Sequence, residues 1–338
     1  MDRSPRVRKT RATALVAACT TGILLVTGCT SSTGGKNAET ASNGMVAGRA
    51  KTPRMTIAMV THGVAGDPYW DVVRKGAEAA AAKDNVKLVY SSDPTASNQA
   101  NLVRNAINQK VDGIAVTLAT PDSMRGVLAK AEAAGIPVSA FNQGLDYWKK
   151  LGAIGYFGSD EKFAGQMVGN RLNSMGAKHD LCLIHAQGTV ALEDRCAGVK
   201  STFKGKTDIL YVNGQDMSSV QSTLTAKLRQ DPSIDQVTAL QATIGTTALS
   251  SVKDANSKAK VNTFDLNKDI VSEIKNGSIE FSLDFQPYLQ GYLAVDSLWL
   301  NKVNGDIIGG GRPTLTGPAF VDKSNIAKVY KYAQNGTR

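Results

Sequence analysis

The chain has 338 residues and a formal net charge of +10, from 39 Lys/Arg against 29 Asp/Glu. Five basic and one acidic side chain fall in residues 1–28, so the remainder stands at 34 against 28, or +6, with both signs interspersed. That pattern excludes a basic nucleic-acid stripe. The roughly 285 residues beyond position 53 exceed one ordinary core, so two lobes are expected.

In chain order, Arg3, Arg6, Arg8, Lys9 and Arg11 make a basic opening. An uncharged stretch of 17 residues, 12–28, follows and ends in Val26-Thr27-Gly28-Cys29. This is the layout of a secretory signal. It is too short, and too rich in Ala, Thr and Gly, for a permanent membrane span. The last four residues resemble a bacterial lipobox, which implies cleavage before Cys29 and a lipid on that cysteine. An ordinary signal with an idle cysteine is the alternative. Residues 29–53 are mostly Ser, Thr, Gly, Asn and Ala and read as a flexible tether, spanning roughly 25–30 Å as a random coil.

From 54 onward, short β-branched or aliphatic runs alternate with Ala-rich helical runs. Strands are expected near 55–61, 86–91, 113–118, 136–141, 153–157, 181–186, 208–213, 235–240, 260–265 and 279–284. Helices are expected near 68–84, 95–109, 122–134, 160–175, 190–204, 217–230, 244–256, 268–275 and 287–303. A late apolar run, PTLTGPAFV, and a helix near 324–333 close the chain. Such alternation predicts an α/β fold with two doubly wound parallel-sheet lobes, covered by helices on both faces.

Ligands of such sheets sit beyond the carboxyl ends of the strands. There the sequence places Asp67, Asn142-Gln143, Gln241, Asp265, and Asp284 with Gln286, while Arg195 falls early in the helix after LCLIHA. Taken singly, each suits a helix cap or a turn. Together they form an edge of amides, carboxylates and one guanidinium, the mixture that a hydroxyl-rich ligand requires. Tyr69 and Trp70, just after Asp67-Pro68, can stack on the C–H faces of a sugar, Trp70 being the expected stacking ring. Tyr147 and Trp148 form a second aromatic pair, with packing on the lobe as the alternative.

Of four cysteines, Cys19 lies in the signal and Cys29 at the lipid site, leaving Cys182 and Cys196. An oxidising compartment favours a disulfide between them, with two buried free thiols as the alternative. Neither has a C-x-x-C partner, so no metal site is expected. No H-E-x-x-H, G-x-S-x-G or P-loop pattern occurs. His62 has no nucleophile placed to use it, and His185 reads as structural; no catalytic residue and no cofactor are expected.

The stretches GDPYWDVVRKGAEAAA, DPTASNQANLVRNAI, VDGIAVTLATPDSM, AGIPVSAFNQG, YFGSDEKFAGQMVG, ALEDRCAGVK, VNTFDLN and FQPYLQGYLAV run in order from about residue 55 to 300. In order and spacing they resemble the ribose-binding, or type I periplasmic binding protein, family of ABC-transporter sugar-binding proteins. The resemblance implies two lobes joined by a three-segment hinge, with crossings near Ser159-Asp160, Phe285-Gln286 and Leu315-Thr316. The N-terminal lobe is expected at 54–159 and 286–314, the C-terminal lobe at 160–285 and 315–338. The family's ligand positions match Asp67, Tyr69, Trp70, Asn142, Gln143, Arg195, Gln241, Asp265 and the Asp284–Gln286 segment. Where the family's ribose binder has Asn-Pro-Phe-Phe, this chain has Asp67-Pro68-Tyr69-Trp70. The binder's Asp-Arg pair is Asn142-Gln143 here, and its Asn-Asp is Gln241-Ala242. A charged clamp has become an amide pair, so a pentose, hexose, polyol or deoxy-sugar is as open as ribose.

The expectation is a monomeric, lipid-anchored solute receptor on the outer face of the cell membrane or in the periplasm. It binds a small sugar or polyol and delivers it to an ABC-transporter permease, without nucleic acid or catalysis. A sugar sensor feeding a membrane signalling receptor, and an exported α/β enzyme acting on carbohydrates, are the rival readings.

Overall fold

The computed structural model describes residues 48–338. The signal segment, Cys29 and tether residues up to 47 lie outside the described residues. Among those described, no helix is long and apolar enough to cross a membrane.

Two six-stranded sheets organise the chain. The first contains β1 (Met55–Thr61), β2 (Val86–Ser92), β3 (Gly113–Thr117), β4 (Val138–Asn142), β5 (Gly155–Gly158) and β11 (Thr314–Leu315), in the order β2-β1-β3-β4-β5-β11. All its pairings are parallel. The second contains β6 (His179–Ile184), β7 (Lys206–Tyr211), β8 (Gln236–Ala239), β9 (Lys260–Phe264), β10 (Ile279–Asp284) and β12 (Ala319–Asp322), in the order β7-β6-β8-β9-β10-β12. Only its edge strand β12 is antiparallel, to β10.

The helices are α1 (Pro68–Lys83), α2 (Ala96–Asn108), α3 (Pro121–Ala133), α4 (Glu161–Ser174), α5 (Val190–Thr202), α6 (Met217–Gln230), α7 (Ala242–Asp254), α8 (Lys268–Asn276), α9 (Pro287–Asn304) and α10 (Tyr330–Gln334). Strand alternation distributes the apolar side chains to both faces of each sheet. In β1, Ile57 and Met59 pack with α1 and α9, whereas Ala58 and Val60 pack with α2 and α3. In β6, Leu181 and Leu183 join the core under α6, α7 and α8, while Cys182 and Ile184 face α4 and α5. Cys182 is bonded to Cys196 of α5, with Cα atoms 5.9 Å apart.

One helix pair in each lobe packs through glycine. A Cβ on Gly291 of α9 would sit 2.0 Å from Val73 O of α1, and one on Gly165 of α4 would sit 2.0 Å from Arg195 O of α5. The missing side chains let the backbones touch and fix where α1 and α5 begin, which is at the cavity described below.

The chain passes between the sheets three times, after β5, after β10 and after β11. The crossings are bonded to one another. Thr316 N donates to Gly158 O (2.8 Å) and Thr316 Oγ1 to Phe285 O (2.7 Å). Gln286 Nε2 donates to Thr316 O (2.5 Å). The late apolar run supplies an edge to each sheet, with Gly317-Pro318 between them. The helix read over 324–333 is shorter, reduced to a 3-10 turn at Ile326–Lys328 followed by α10.

Candidate functional site

In a sheet ordered 2-1-3-4-5, the connections leaving β1 and β3 diverge to opposite faces and open a crevice at their carboxyl ends. Both sheets have this order, at β1/β3 and at β6/β8. The two crevices face each other across a cavity of about 910 Å3. Its wall contains Asp67, Tyr69, Trp70, Asn142 and Gln143 from the first sheet's side. Arg195, Gln241 and Asp265 line it from the second.

Asp67 is the N-cap of α1. Its Oδ1 accepts from Tyr69 N (3.0 Å), and Pro68 opens the helix with the φ it requires. Its Oδ2 accepts from Gln241 Nε2 across the cavity (2.6 Å). Burial pushes this carboxyl up. Trp70 is 8% exposed and meets Tyr69 edge-on at 5.1 Å and His62 at 4.8 Å. Gly63 makes room for the indole, since a Cβ there would sit 2.6 Å from the ring. Trp70 therefore lines the cavity as a ring anchored in the core, and the less buried Tyr69 turns its hydroxyl to Asn142 Nδ2 (2.6 Å).

Asn142 and Asp265 close β4 and β9, the fourth strand of each sheet in chain order, and both have left-handed backbones, φ 67° and 66°. Asn and Asp tolerate that region better than other side-chain-bearing residues. Such strain at paired strand ends aims both side chains out of the sheets. Asn142 Oδ1, Gln143 Oε1, Asp265 Oδ1 and His185 Nδ1 are buried with no hydrogen-bond partner among the described residues. Each unmet acceptor costs roughly 1–3 kcal/mol, a cost that a hydroxyl-bearing ligand removes. Burial raises Asp265 to about 8, so near neutral pH it carries a proton and can donate as well as accept.

The two cavity histidines are neutral. Burial lowers His62 to about 4 and, aided by Arg195, His185 to about 3. Gln143 Nε2 lies 3.1 Å from His62 Nε2, and His62 Nδ1 lies 2.8 Å from Thr117 Oγ1, so both ring nitrogens are engaged.

Arg195 is held on three sides. Nε pairs with Glu161 Oε2 (2.7 Å), Nη1 donates to Leu240 O (3.0 Å), and the guanidinium lies between the Phe264 and Phe285 rings at 4.8 and 4.7 Å. A buried arginine so neutralised is a rigid hydrogen-bond donor rather than an anion clamp.

Asp284 and Gln286 are not part of this wall. Asp284 is fully buried, its Oδ2 pairs with Arg338 Nε (2.6 Å), and its Oδ1 accepts from Gln286 N (2.9 Å). The register turns both residues into the crossing instead of the cavity. Behind the wall, Gln290 in the first turn of α9 holds two of its residues. Its Oε1 accepts from Asn142 Nδ2 (3.1 Å) and Tyr69 Oη (3.3 Å), and its Nε2 donates to Phe285 O (3.0 Å) and Thr316 Oγ1 (3.1 Å). Gln290 and Glu161 do not line the cavity but hold residues that do, and sequence reasoning missed both. The available signal was a glutamine, and a glutamate, in the first helical turn just past a crossing. Trp148 is buried in the core under α2 and α3, with Tyr147 packed against it.

His179, Asp208 and Asp231 bring potential metal-ligand atoms within 4.8 Å of one another at the opposite end of the second sheet. Lys206 Nζ already sits 2.8 Å from Asp208 Oδ2, with Lys227 Nζ at 3.9 Å, so ammonium groups take the place a cation would need.

A family model described as a periplasmic binding protein domain matches residues 57–305. The crystal structure of a carbohydrate transporter from Acidothermus cellulolyticus in complex with myo-inositol is 56% identical. It covers 85% of this chain and 100% of that one, with a TM-score of 0.84. The xylose/arabinose-binding protein of Sulfolobus acidocaldarius is 25% identical over 296 residues, 81% of this chain and 72% of its own. The ribose import binding protein of Bacillus subtilis is 24% identical over 238 residues, 68% and 76% respectively.

Proposed function

This chain belongs to the periplasmic binding protein family, and we propose that it captures a small, neutral polyhydroxylated ligand outside the cytoplasm and hands it to the permease of an ABC importer. The ligand class is a cyclitol such as myo-inositol, or a sugar or polyol of similar size, which the 56% identical myo-inositol complex supports. The observation that carries this reading is the cavity wall. It combines buried acceptors without partners, a fixed arginine donor and two aromatic rings, drawn from both sheets. Tyr69 and Trp70 cover a ring face. Asn142, Gln143, Arg195, Gln241 and Asp265 bind hydroxyls, and Asp67 shares its carboxylate between the α1 cap and the cavity.

Two bodies, 54–159 with 286–314 and 160–285 with 315–338, rotate about the three crossings. Contacts made by both at once shift the population toward closure. Residues 1–28 act as an export signal, Cys29 takes the lipid, and 29–53 tether a monomeric receptor to the membrane's outer face. Cys29→Ser should move the protein from the membrane fraction to the soluble one.

The test is calorimetric titration of the purified protein with myo-inositol, xylitol, D-xylose and D-ribose. At least one is expected to bind saturably at one site per chain; no binding by any of them overturns the reading.

A further inference from the structure

The cavity is larger than one sugar ring, although the lobes already touch on both sides of it. Asp67 and Gln241 join on one flank (2.6 Å), and Val190 N reaches Ala119 O on the other (3.3 Å). The crossings close the back. What remains open is the front, at the edge strands β2 and β7, which lie farthest from the crossings in each sheet. There the wall continues through Pro94 and Ala96 after β2, and through Tyr211 at the end of β7 and Asn213 and Gln215 beyond it. The total, about 910 Å3, lies near the top of the roughly 300–1,000 Å3 range of pockets that enclose drug-sized ligands.

This outer region is built, not loose. Val212 N donates to Ile184 O (3.0 Å) and Gly214 N to His185 O (2.9 Å), which pins the segment after β7 to the end of β6. Tyr211 is 45% exposed, yet its hydroxyl is held by Glu193 Oε2 (3.1 Å), so the ring stands fixed at the mouth. Farther in, beside Thr117, Gln99 is fully buried and lines the cavity. Its Nε2 is engaged by Thr117 O (3.0 Å) and Thr117 Oγ1 (2.9 Å), which leaves Oε1 without a donor. Among the described residues the wall holds no lysine, and its arginine is neutralised by Glu161.

We propose that the cavity has a second, outer subsite, with Tyr211 as its stacking platform. Its ligand is a neutral two-ring molecule: a polyol or sugar held in the inner site that carries a glycosyl group toward the front. The subsite rests on the reading of the inner cavity as a polyol site. Anionic substituents such as phosphates are disfavoured, because, among the described residues, the wall's one cation is already paired with Glu161 and the unpaired amide oxygens of Gln99, Asn142 and Gln143 are acceptors.

The experiment measures Kd by calorimetry for matched pairs: myo-inositol against galactosyl-myo-inositol, and D-xylose against xylobiose. For at least one pair, the two-ring probe is expected to bind wild type at least fivefold more tightly than its single ring. Tyr211→Ala should reduce that ratio at least fivefold. If single rings bind and every two-ring probe binds equally or more weakly, the outer subsite alone is overturned. An unchanged ratio in Tyr211→Ala overturns Tyr211 as its platform. If no probe binds, the polyol reading fails and the subsite fails with it.

Discussion

Arg195 and Asp265 show how burial changes what a charged residue does. The Arg195–Glu161 pair is 5–6% exposed on both sides, so removing one partner strands the other in a low-dielectric interior. Arg195→Ala should weaken ligand binding more than tenfold and also cost about 3–5 kcal/mol of stability, read from denaturant unfolding. Removing Glu161 as well should restore part of that stability but none of the binding. Asp265 acts in the opposite sense. Its carboxyl titrates near 8 when folded and near 3.9 when unfolded. Between those values the folded state holds the extra proton, so stability is greatest below the unfolded pKa and falls as pH rises through about 8. Asp265→Asn removes that term, and the melting temperature of the ligand-free variant should decline less than that of wild type between about pH 5 and pH 8. Asp180, raised by burial to about 7, tilts both proteins the same way and leaves a residual slope.

At the scale of elements, helix pairs in close contact set where the cavity walls begin. Gly291→Ala forces a methyl against the Val73 carbonyl and should cost at least about 1–3 kcal/mol. Gly126→Ala in α3 meets nothing within 4 Å and should instead stabilise by about 0.5–1 kcal/mol. Opposite signs in urea unfolding would separate close packing from helix propensity. The strands and most helices were legible from alternation alone, and so was the presence of polar residues at strand ends, because side-chain period fixes both. Asp284 and Gln286 do not line the cavity, because Asp284 ends β10 and Gln286 stands in the crossing, where the chain leaves the sheet and the strand-end rule no longer says which way a side chain points. Gln290 and Glu161 were missed for the same reason. Each stands one step beyond a crossing, on a helix whose placement depends on the other lobe.

For the whole molecule, the crossings hold the lobes in register, and Thr316 is their shared partner. Its hydroxyl donates to Phe285 O (2.7 Å) and accepts from Gln290 Nε2 (3.1 Å), and the residue is 2% exposed. Thr316→Val keeps the shape but removes both bonds, leaving Phe285 O and Gln290 Nε2 only the bond they make to each other. A loss of about 1–3 kcal/mol is expected, together with faster amide exchange at Thr316 and Gln290 than at strands in either sheet. Through Gln290 the same bonds reach Asn142 and Tyr69, so the hinge and the cavity share one hydrogen-bond network.

By itself, the sequence determined the alternation of strands and helices, the doubly wound class, the two-lobe organisation and the enrichment of polar residues at the carboxyl edges. These follow from periodicity and chain length, which are local or additive properties. Only the tertiary structure decided which polar residues meet, that Arg195 is neutralised by Glu161, and that Asp67 and Gln241 join across the cavity. It also decided that the front stays open at β2 and β7. Those facts depend on the path through three crossings between positions far apart in the chain, and no local pattern encodes a distance between such positions.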